Sequence, residues 1–336
     1  MTSLTNKKFL ICAPANFYSG GPTLSHQLCD KLIQRGYQAS IFYYNYNGNE
    51  NASPVHPYYK ELKLPYTLHV VDEDDCVIIT NETFTDIFNN IKRSKKIIWW
   101  MSVDFFWDAW KCNIPGVKNK IRHFLLKIKC HKEFSRHFDV KRKDVLHFSQ
   151  CNYVYDFLIK YGIKKKRIYP LSDFIENIDV PLTSSPKEDI VLYNPKKGLA
   201  FTELLMQQAP EIKWVPIINK TPLEVRKLLL KSKVYIDFGH HPGKDRLPRE
   251  AALFNCCVIT GLKGSARYST DLPIPEKFKI EGSEKNIPTI ISLIKELLSA
   301  YEENIKNFEA YKNIILKEEE KFDSDLSTIL HDFRSI

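Results

Sequence analysis

The sequence predicts an α/β protein built from two Rossmann-like domains. The first observation is that short, continuous apolar runs alternate with amphipathic helical patterns along most of the chain. Residues 9–13 and 76–80 are two such runs, and runs of this kind are typical of parallel strands buried on both faces. The second observation is the length of 336 residues, which suits two ordinary domains better than one.

The N-terminal half opens as a strand–helix–strand unit. A strand at residues 9–13 is followed by a turn with Gly20 and Gly21, and then by a helix over 23–35 that ends at Gly36. A strand at 38–43 completes the unit, which implies a right-handed parallel crossover. Further strands are predicted at 76–80, 96–101, 144–149 and 167–171, with a helix over 152–161.

The C-terminal half repeats the same alternation, which is why we predict a second domain. The predicted strands are 189–193, 214–218, 234–238 and 257–260, and the predicted helices are 200–208, 222–230 and 248–254. The chain becomes polar and proline-containing around residues 172–185, where a domain boundary is expected. We therefore expect an N-terminal domain at 1–172, a C-terminal domain at 173–322 and a last helical segment at 323–336.

The bulk composition excludes several classes of protein. Hydrophobic residues make up 43% and charged residues 26%, which is typical of a globular chain and not of a disordered one. No apolar run approaches the roughly 20 residues that span a bilayer. The eight cysteines form no Cys-x-x-Cys pair, so we expect reduced, buried thiols and no zinc site. The apolar run near the N-terminus is too short for a signal peptide, so a cytoplasmic location is expected.

Positive charge is concentrated between residues 111 and 167, which contain sixteen Lys or Arg and four Asp or Glu. The net charge of the whole chain is +9. Such a segment indicates either an anionic partner, for example a membrane surface, a phosphorylated lipid or a nucleic acid, or only a solvated helix face. No nucleic-acid motif accompanies the charge. We therefore expect contact with the inner face of the cytoplasmic membrane and no nucleic-acid partner.

The strongest candidate site lies in residues 234–261, which are predicted to form a strand, an irregular loop, a helix and a second strand. Ligands of open α/β sheets bind beyond the carboxyl ends of the strands, which is where this loop lies. Glu250 is expected in the first turn of the helix, either as a ligand of ribose hydroxyls or as a simple helix cap. The candidate donor-binding residues of the loop and helix are His240, His241, Gly243, Lys244, Arg246 and Glu250.

Two further loops carry candidate phosphate-binding residues. Lys196 and Lys197 follow the first strand of the second domain, and lysines there can hold a diphosphate as point charges. Gly20 and Gly21 follow the first strand of the chain, where glycine lets the backbone approach a ligand. Each loop also fits an ordinary turn, basic in one case and glycine-containing in the other. Neither is a Gly-x-Gly-x-x-Gly motif, which argues against a nicotinamide site.

With these motifs the chain resembles the GT-B glycosyltransferases, especially the family-4-like enzymes of bacterial surface polysaccharide synthesis. The resemblance implies two Rossmann-like domains facing a cleft, with the C-terminal helix crossing back to the N-terminal domain. It implies that Gly20 and Gly21 face the donor phosphates or the acceptor, that Lys196 or Lys197 binds the donor diphosphate, and that Glu250 binds the ribose. The expected substrates are a nucleotide sugar and a glycan or lipid-linked acceptor of lipopolysaccharide, O-antigen or capsule.

The sequence departs from this family at one position. Its members usually carry two glutamates separated by seven residues, but Pro242 occupies the position eight residues before Glu250. The role of the first glutamate near the sugar falls to Asp245 or to no residue. An inverting enzyme also needs a general base for the acceptor hydroxyl, and Asp104 and Glu82 follow predicted strands in suitable places. Both residues also fit helix caps.

A catalytic metal is not expected. The acidic strings at 72–75 and 323–325 each contain Asp-x-Asp, but the first precedes a strand and the second lies near the end of the sequence. We interpret both as solvated turns or caps. In a GT-B enzyme, lysines and helix N-termini stabilise the leaving diphosphate instead, so no cofactor is expected.

Three other functions fit parts of the same pattern. A nucleotide-sugar 2-epimerase of this fold would use the same donor site without an acceptor. A non-catalytic sugar-binding or scaffold protein would explain the missing first glutamate. A nicotinamide oxidoreductase is the least supported, because the dinucleotide motif is absent.

Overall fold

A computed structural model describes residues 7–48, 52–107, 138–176 and 186–334, which fall into two compact units. The first unit takes the described residues up to Gln150, then Val154–Leu171 and the residues from Asp325 onward. The second unit takes Cys151–Tyr153 and Ser172–Ser324.

The first unit is a seven-stranded, wholly parallel sheet. Its strand order is β3-β2-β1-β4-β5-β6-β7, so the chain moves outward from β1 on one side and then returns to β4 on the other. The strands are β1 Lys8–Pro14, β2 Gln38–Tyr44, β3 Tyr66–Thr67, β4 Cys76–Asn81, β5 Lys95–Trp100, β6 Val145–Ser149 and β7 Ile168–Pro170. Its α-helices include α1 Gly20–Gln34 and α2 Asn152–Lys160, whose first two residues belong to the second unit, and its 3-10 turns include Pro57–Leu62, Thr85–Asn89 and Lys165–Arg167.

The second unit has a four-stranded parallel sheet with the order β11-β10-β8-β9. The strands are β8 Glu188–Tyr193, β9 Lys213–Pro216, β10 Ser232–Asp237 and β11 Cys257–Thr260. The helices are α3 Leu199–Gln208, α4 Pro222–Lys231, α5 Arg246–Leu253, α6 Ile287–Ser299, α7 Tyr301–Asn304, α8 Glu309–Leu316 and α9 Glu318–Arg334. The 3-10 turns are Ser265–Arg267, Glu276–Phe278, Glu284–Asn286 and Ile305–Phe308.

Each sheet has one point where the strand order reverses, and this point determines where a ligand can bind. In the first unit the reversal lies between β1 and β4, and in the second it lies between β8 and β10. The helices that follow the two strands of such a pair leave toward opposite sides, which opens a crevice at the carboxyl ends of those strands. The loops after β1, β4, β8 and β10 are therefore the four places to look for a site.

The apolar runs form the central strands because both faces of each sheet are covered. Ile11 in β1 pairs with Ile41 in β2 and with Ile79 in β4, and all three side chains are buried. Burying such a side chain contributes about 1.5–3 kcal/mol relative to leaving it exposed. Helix α1 ends before Gly36, whose φ of +79° is the left-handed conformation that glycine adopts without strain.

The predicted strands and helices are present, with corrections at their ends. Helix α1 begins at Gly20, three residues earlier than predicted, so the two glycines belong to the helix and not to a preceding turn. The predicted strand at 214–218 ends at Pro216. The edge strand β3 was not predicted, because two paired residues leave no periodic pattern to detect.

The cysteines of the described chain support the prediction of reduced thiols. Cys12, Cys29, Cys76, Cys151, Cys256 and Cys257 are all free, and all but Cys151 are buried. The other two cysteines lie outside the described residues. In the part of the chain that the structure describes, no helix is long and apolar enough to cross a membrane.

The C-terminal helix α9 begins in the second unit and ends in the first. Phe322 packs edge-on against Phe174 within the second unit, with 5.2 Å between ring centroids. Phe333 stacks on Phe148 within the first unit, with 6.3 Å between centroids.

Candidate functional site

Two loops meet backbone to backbone at the carboxyl ends of β8 and β10. Gly198 has a φ of +63°, and a Cβ added there would lie 2.7 Å from the amide nitrogen of Gly239. A Cβ on Gly239 would lie 2.3 Å from Cβ of Lys197. Both distances are below those that real Cβ atoms adopt, so only glycine fits. This contact holds Lys197 against the loop that follows β10.

A cluster of four charged or ionisable side chains lies at this contact. The ring of His241 is between two carboxylates: Nε2 is 3.5 Å from Oδ1 of Asp237, and Nδ1 is 3.3 Å from Oδ2 of Asp245. The same Oδ2 of Asp245 is 2.5 Å from Nζ of Lys197. Predicted donor-binding residues from two separate loops, Lys197 and His241, are thus brought together, with the predicted catalytic residue Asp245 between them.

Asp237 anchors this cluster in the sheet. It is the last residue of β10, it is buried, and its carboxylate accepts the Gly239 N–H at 3.0 Å and the Tyr235 hydroxyl at 3.1 Å. Burial alone would raise the pKa of this carboxyl, but His241, Lys197 and the Gly239 N–H together hold the pKa below its ordinary value. The sequence did not single out Asp237, because it reads as the end of an apolar strand.

The backbone of His241 is fixed on both sides. Its N–H donates to the Lys263 carbonyl at 3.3 Å, and its carbonyl accepts the Ser265 N–H at 2.9 Å. Gly264 has a φ of +67°, and a Cβ added there would clash with the His241 carbonyl. The side chain of His241 is only 2% exposed.

A second charge cluster surrounds Arg249, which the sequence analysis missed. The guanidinium is 2% exposed and donates to Asp173 at 2.5 Å and to Glu318 at 2.8 Å. Burial opposes the charge, yet these two carboxylates raise the pKa of Arg249 above its ordinary value. Lys244, predicted to bind the donor, has its Nζ 2.7 Å from Glu318 and so belongs to this buried cluster.

Glu250 lies in the second turn of helix α5, whereas the sequence predicted the first turn. Helix α5 begins at Arg246, with Asp245 as its N-cap, so Glu250 is in the second turn of the helix. Its Oε1 accepts the Arg246 Nε–H at 2.6 Å, and its side chain is 11% exposed. Glu250 therefore does not cap the helix; it forms an ion pair with a second predicted donor-binding residue.

The remaining predicted residues of the second unit lie around this site. Lys196 is exposed, and its N–H donates to the Asn194 side chain in a tight turn. His240 packs edge-on against Tyr153, with Nε2 3.5 Å from the tyrosine hydroxyl. Gly243 is buried, and its carbonyl accepts the Ser265 hydroxyl.

In the first unit, Glu82 lies at the reversal of strand order, directly after β4. It is 4% exposed, and its Oε2 accepts the Met101 N–H at 3.0 Å. Burial raises the pKa of Glu82 to about 7, although backbone N–H groups act in the opposite direction. The nearby Gly21 is in ordinary contact range of Met101, since an added Cβ would lie 3.6 Å from its sulfur.

Asp104 has a less distinctive environment. It lies in a short helical turn over residues 103–107 and is half-buried. The cap of this turn is Ser102, whose hydroxyl accepts the Phe105 N–H at 3.2 Å. Ser102 thus caps this turn, and Glu82 accepts the N–H of Met101 just before it.

The two acidic strings have structural roles. Asp72 accepts the N–H groups of Lys92, Arg93 and Ser94, so the first string closes a turn, as predicted. The second string, at 323–325, lies inside α9 and not in a turn or cap, because the helix continues to Arg334.

One set of side chains has the chemistry of metal ligands. The nearest oxygen and nitrogen atoms of Asp237, His241 and Asp245 lie within 4.8 Å of one another. However, the two carboxylates face different ring nitrogens, and the Lys197 ammonium already contacts Asp245. The expectation of no metal remains a prediction.

Comparison with known proteins identifies the fold. No family model and no curated protein matches the chain. Sucrose-phosphate synthase from Thermosynechococcus elongatus matches with a TM-score of 0.61 at 12% identity, covering 98% of this chain and 99% of that one. HepE from Anabaena, in complex with UDP-glucose, matches with a TM-score of 0.53 at 12% identity, covering 98% and 100%.

A third solved structure is the apo form of the lipopolysaccharide outer core galactosyltransferase WaaB. Its TM-score is 0.52 at 11% identity, covering 97% of this chain and 99% of that one. These proteins are GT-B glycosyltransferases. The chain has the GT-B fold. At such identities the likeness extends to the fold, and the chemistry of the site has to be argued from the residues themselves.

Replacing Arg249 with methionine is expected to destabilise the protein by about 3–5 kcal/mol, because buried Asp173 and Glu318 both lose the guanidinium that joins them. Arg246→Met is the matched control on the same helix, since its ion pair lies nearer the surface and contributes only about 1 kcal/mol or less. Urea unfolding of both variants measures the difference. Equal losses of stability would show that the Arg249 cluster does not have this structural role.

Proposed function

We propose that this chain is a glycosyltransferase that moves a sugar from a nucleotide-sugar donor to a glycan or lipid-linked acceptor of a bacterial surface polysaccharide. The observation that carries the proposal is the position of Lys197. It is at the strand-order reversal of the second sheet, beside the loop that leads into α5. Ligands of this class of sheet bind at that reversal.

The donor is assigned to the second unit on grounds of charge. A diphosphate carries negative charge that Lys197 can neutralise as a mobile cation. The N-termini of α3 and α5 begin at the same edge of the sheet, at Gly198 and Asp245, and their N–H groups favour an anion. Glu250 is the proposed ligand of the ribose hydroxyls. HepE was solved with UDP and with UDP-glucose, which makes uridine diphosphate sugars the first class to test.

The acceptor is assigned to the first unit. In the proposed reaction the acceptor oxygen forms a bond to the anomeric carbon of the sugar while the bond to the diphosphate breaks. The acceptor proton passes to a base, and the nucleoside diphosphate leaves with the electron pair of the broken bond. Of the two base candidates, Glu82 is favoured over Asp104, because a carboxyl with a pKa near 7 is matched to proton transfer at neutral pH.

A thermal-shift panel of UDP, GDP, CMP, dTDP and ADP tests the donor site. We expect one nucleotide to stabilise the wild type, by about 2.7 kcal/mol at a hundredfold excess over its dissociation constant. Lys197→Ala and Glu250→Ala should lose this stabilisation, whereas Lys227→Ala, an exposed lysine on α4, should keep it. If no nucleotide shifts the melting temperature, the donor assignment is wrong and the scaffold alternative is favoured.

The nucleotide identified by this panel indicates which nucleotide sugar to use in product analysis. Product analysis then separates a transferase from an epimerase. A transferase releases the nucleoside diphosphate in step with the appearance of a glycosylated acceptor. An epimerase converts its nucleotide sugar with no acceptor present.

The pH dependence of kcat/KM tests the role of Glu82. A base works when it is deprotonated, so kcat/KM should rise as pH increases through about 7, the pKa of Glu82. Glu82→Gln should abolish this rise and lower the rate about 10²- to 10⁴-fold. Asp104→Asn should keep the wild-type pH profile. The opposite result for the two variants would transfer the role to Asp104.

We also propose that the protein binds the anionic inner face of the cytoplasmic membrane. Residues 111–137 of the basic segment lie outside the described residues, and residues 138–167 form the proposed surface. Arg167 donates to the carbonyls of Lys141 and Val145, each at 3.2 Å, and thereby joins two basic loops into one surface. The exposed lysines of this surface are Lys141, Lys143, Lys160, Lys164, Lys165 and Lys166.

Reversing the charge of Lys164, Lys165 and Lys166 to glutamate tests this surface. Each lysine near an anionic bilayer contributes about 1 kcal/mol, so vesicle binding should weaken about a hundredfold or more. Lys227, Lys231 and Lys306, exposed in the second unit, provide a control reversal of equal charge. Co-sedimentation with phosphatidylglycerol vesicles at low salt is the measurement. Equal weakening by both triple variants would show that net charge, and not this surface, is responsible.

A further inference from the structure

Four aromatic rings pack together where the loop after β1 meets the segment that follows β2. We call them the aromatic platform, which consists of Tyr18, His56, Tyr58 and Tyr59. The centroid of the Tyr18 ring is 4.3 Å from that of Tyr58 and 5.7 Å from that of His56. It is 5.9 Å from that of Tyr59. Tyr58 is 39% exposed, so part of the platform faces solvent.

Helix α1 holds the inner side of the platform. Tyr59 is buried, its ring stacks on that of His26 with 3.8 Å between centroids, and its hydroxyl is 3.0 Å from the Thr23 hydroxyl. His26 and Thr23 both belong to α1, and Nε2 of His26 is hydrogen-bonded to the Tyr43 hydroxyl at 2.7 Å. Rings that are fixed before a ligand binds lose little conformational entropy when it binds, which favours affinity.

Backbone hydrogen bonds fix the outer side. The Asn16 N–H donates to the Pro54 carbonyl at 2.8 Å and so joins the loop after β1 to the second segment. Nδ1 of His56 accepts the Tyr58 N–H at 3.2 Å. Because Nδ1 is the acceptor, the proton of the neutral ring is on Nε2, which is then a donor. The platform therefore combines exposed aromatic surface with hydrogen-bonding groups.

The platform lies at the carboxyl end of β1, where the strand order of the first sheet reverses. Phe17, in the same loop, is 54% exposed and adds another ring to this surface. The loop leads into Gly21, which lies next to Met101, and the Met101 N–H donates to Glu82, the proposed base. Ligands of parallel sheets bind at such a reversal. The platform is thus in the part of the first unit that the proposed reaction assigns to the acceptor.

The chemistry of the platform fits a sugar ring. One face of a pyranose consists of C–H groups, which pack against the negative face of an aromatic ring, and its rim consists of hydroxyls. Nε2 of His56 and the tyrosine hydroxyls suit hydrogen bonds to such a rim. A bound acyl chain would remove these polar groups from water without replacing their hydrogen bonds, which costs free energy.

We infer that the aromatic platform binds one pyranose ring of the acceptor. This inference rests on the proposed function and narrows it, because it requires an acceptor that presents a sugar and not a bare lipid phosphate.

Saturation-transfer difference NMR tests the platform without any donor. The probes are the methyl glycosides of glucose, galactose, mannose and N-acetylglucosamine. Saturating the aromatic protons of the protein should transfer magnetisation to a bound sugar, chiefly to the C–H protons of one ring face. Tyr58→Ala should weaken this binding about fivefold to tenfold, the effect of losing one aromatic contact. Tyr58→Phe keeps the ring and should bind nearly as the wild type does.

Tyr66→Ala is the matched control. Tyr66 is a 48% exposed tyrosine of the same unit, and its ring packs edge-on against Tyr43, outside the platform. This variant should bind sugars as the wild type does. If Tyr58→Ala does not fold, Tyr58→Leu keeps an apolar side chain without the ring and should show the same loss. Full binding by Tyr58→Leu, or no saturation transfer to any of the four glycosides, would overturn the inference.

A longer alkyl group separates a sugar ligand from a lipid chain. The hexyl glycoside of whichever sugar binds should have the same affinity as its methyl glycoside, because the platform contacts the ring. Tighter binding of the hexyl compound that Tyr58→Ala removes would assign the platform to an acyl chain and overturn the inference.

The proposed function is tested separately from the platform. In the transfer reaction, Tyr58→Ala should raise the acceptor KM about fivefold to tenfold and change kcat much less, because stacking holds substrate and transition state alike. Nucleotide binding without sugar binding would overturn the role of the platform alone. Sugar binding without nucleotide binding would contradict the proposed function and leave the platform as a sugar-binding site.

Discussion

Asp245 joins several parts of the site in the second unit. Its side chain contacts Lys197 and His241, and its backbone carbonyl accepts the Arg249 Nε–H at 3.2 Å. It is also the N-cap of α5. One residue therefore connects the loop after β8, the loop after β10 and the buried charge cluster. Its carboxylate contacts Lys197 and His241 and makes no side-chain cap on α5.

The Arg249 cluster explains how such a loop keeps one conformation. A buried ion pair seldom adds net stability, since the cost of desolvating two charges offsets their attraction. It does discriminate between conformations, because any other arrangement leaves a buried charge without a partner. Arg249 donates to the carbonyls of Lys244 and Asp245 as well as to two carboxylates. The guanidinium thus fixes the backbone that enters α5, and the positions of Asp245 and Arg246 follow from it.

The sequence was sufficient for the fold but only partly for the site. Fully apolar runs such as those of β1 and β10 predict buried parallel strands, because both faces of each strand must be covered. Lys197 and His241 were identified because they follow strands. Asp237 was missed because it ends an apolar strand. Arg249 was missed because its partners Asp173 and Glu318 are 76 and 69 positions away in the sequence. No local pattern encodes such a contact. The two-residue strand β3 was missed for the related reason that it has no pattern of its own.

The two units place a buried carboxyl group in opposite electrostatic environments, which suits two different chemical roles. No cation of the described residues acts on buried Glu82, so burial dominates and its pKa rises to about 7. Asp237 is equally buried, but the neighbouring cations and the Gly239 N–H lower its pKa and keep it ionised. Environments that separate the pKa values of two carboxyls also separate their roles. A carboxyl that exchanges its proton near neutral pH suits a base for an acceptor hydroxyl. A charged carboxylate suits the positioning of neighbouring groups, here His241 and, through Asp245, the lysine assigned to the donor diphosphate.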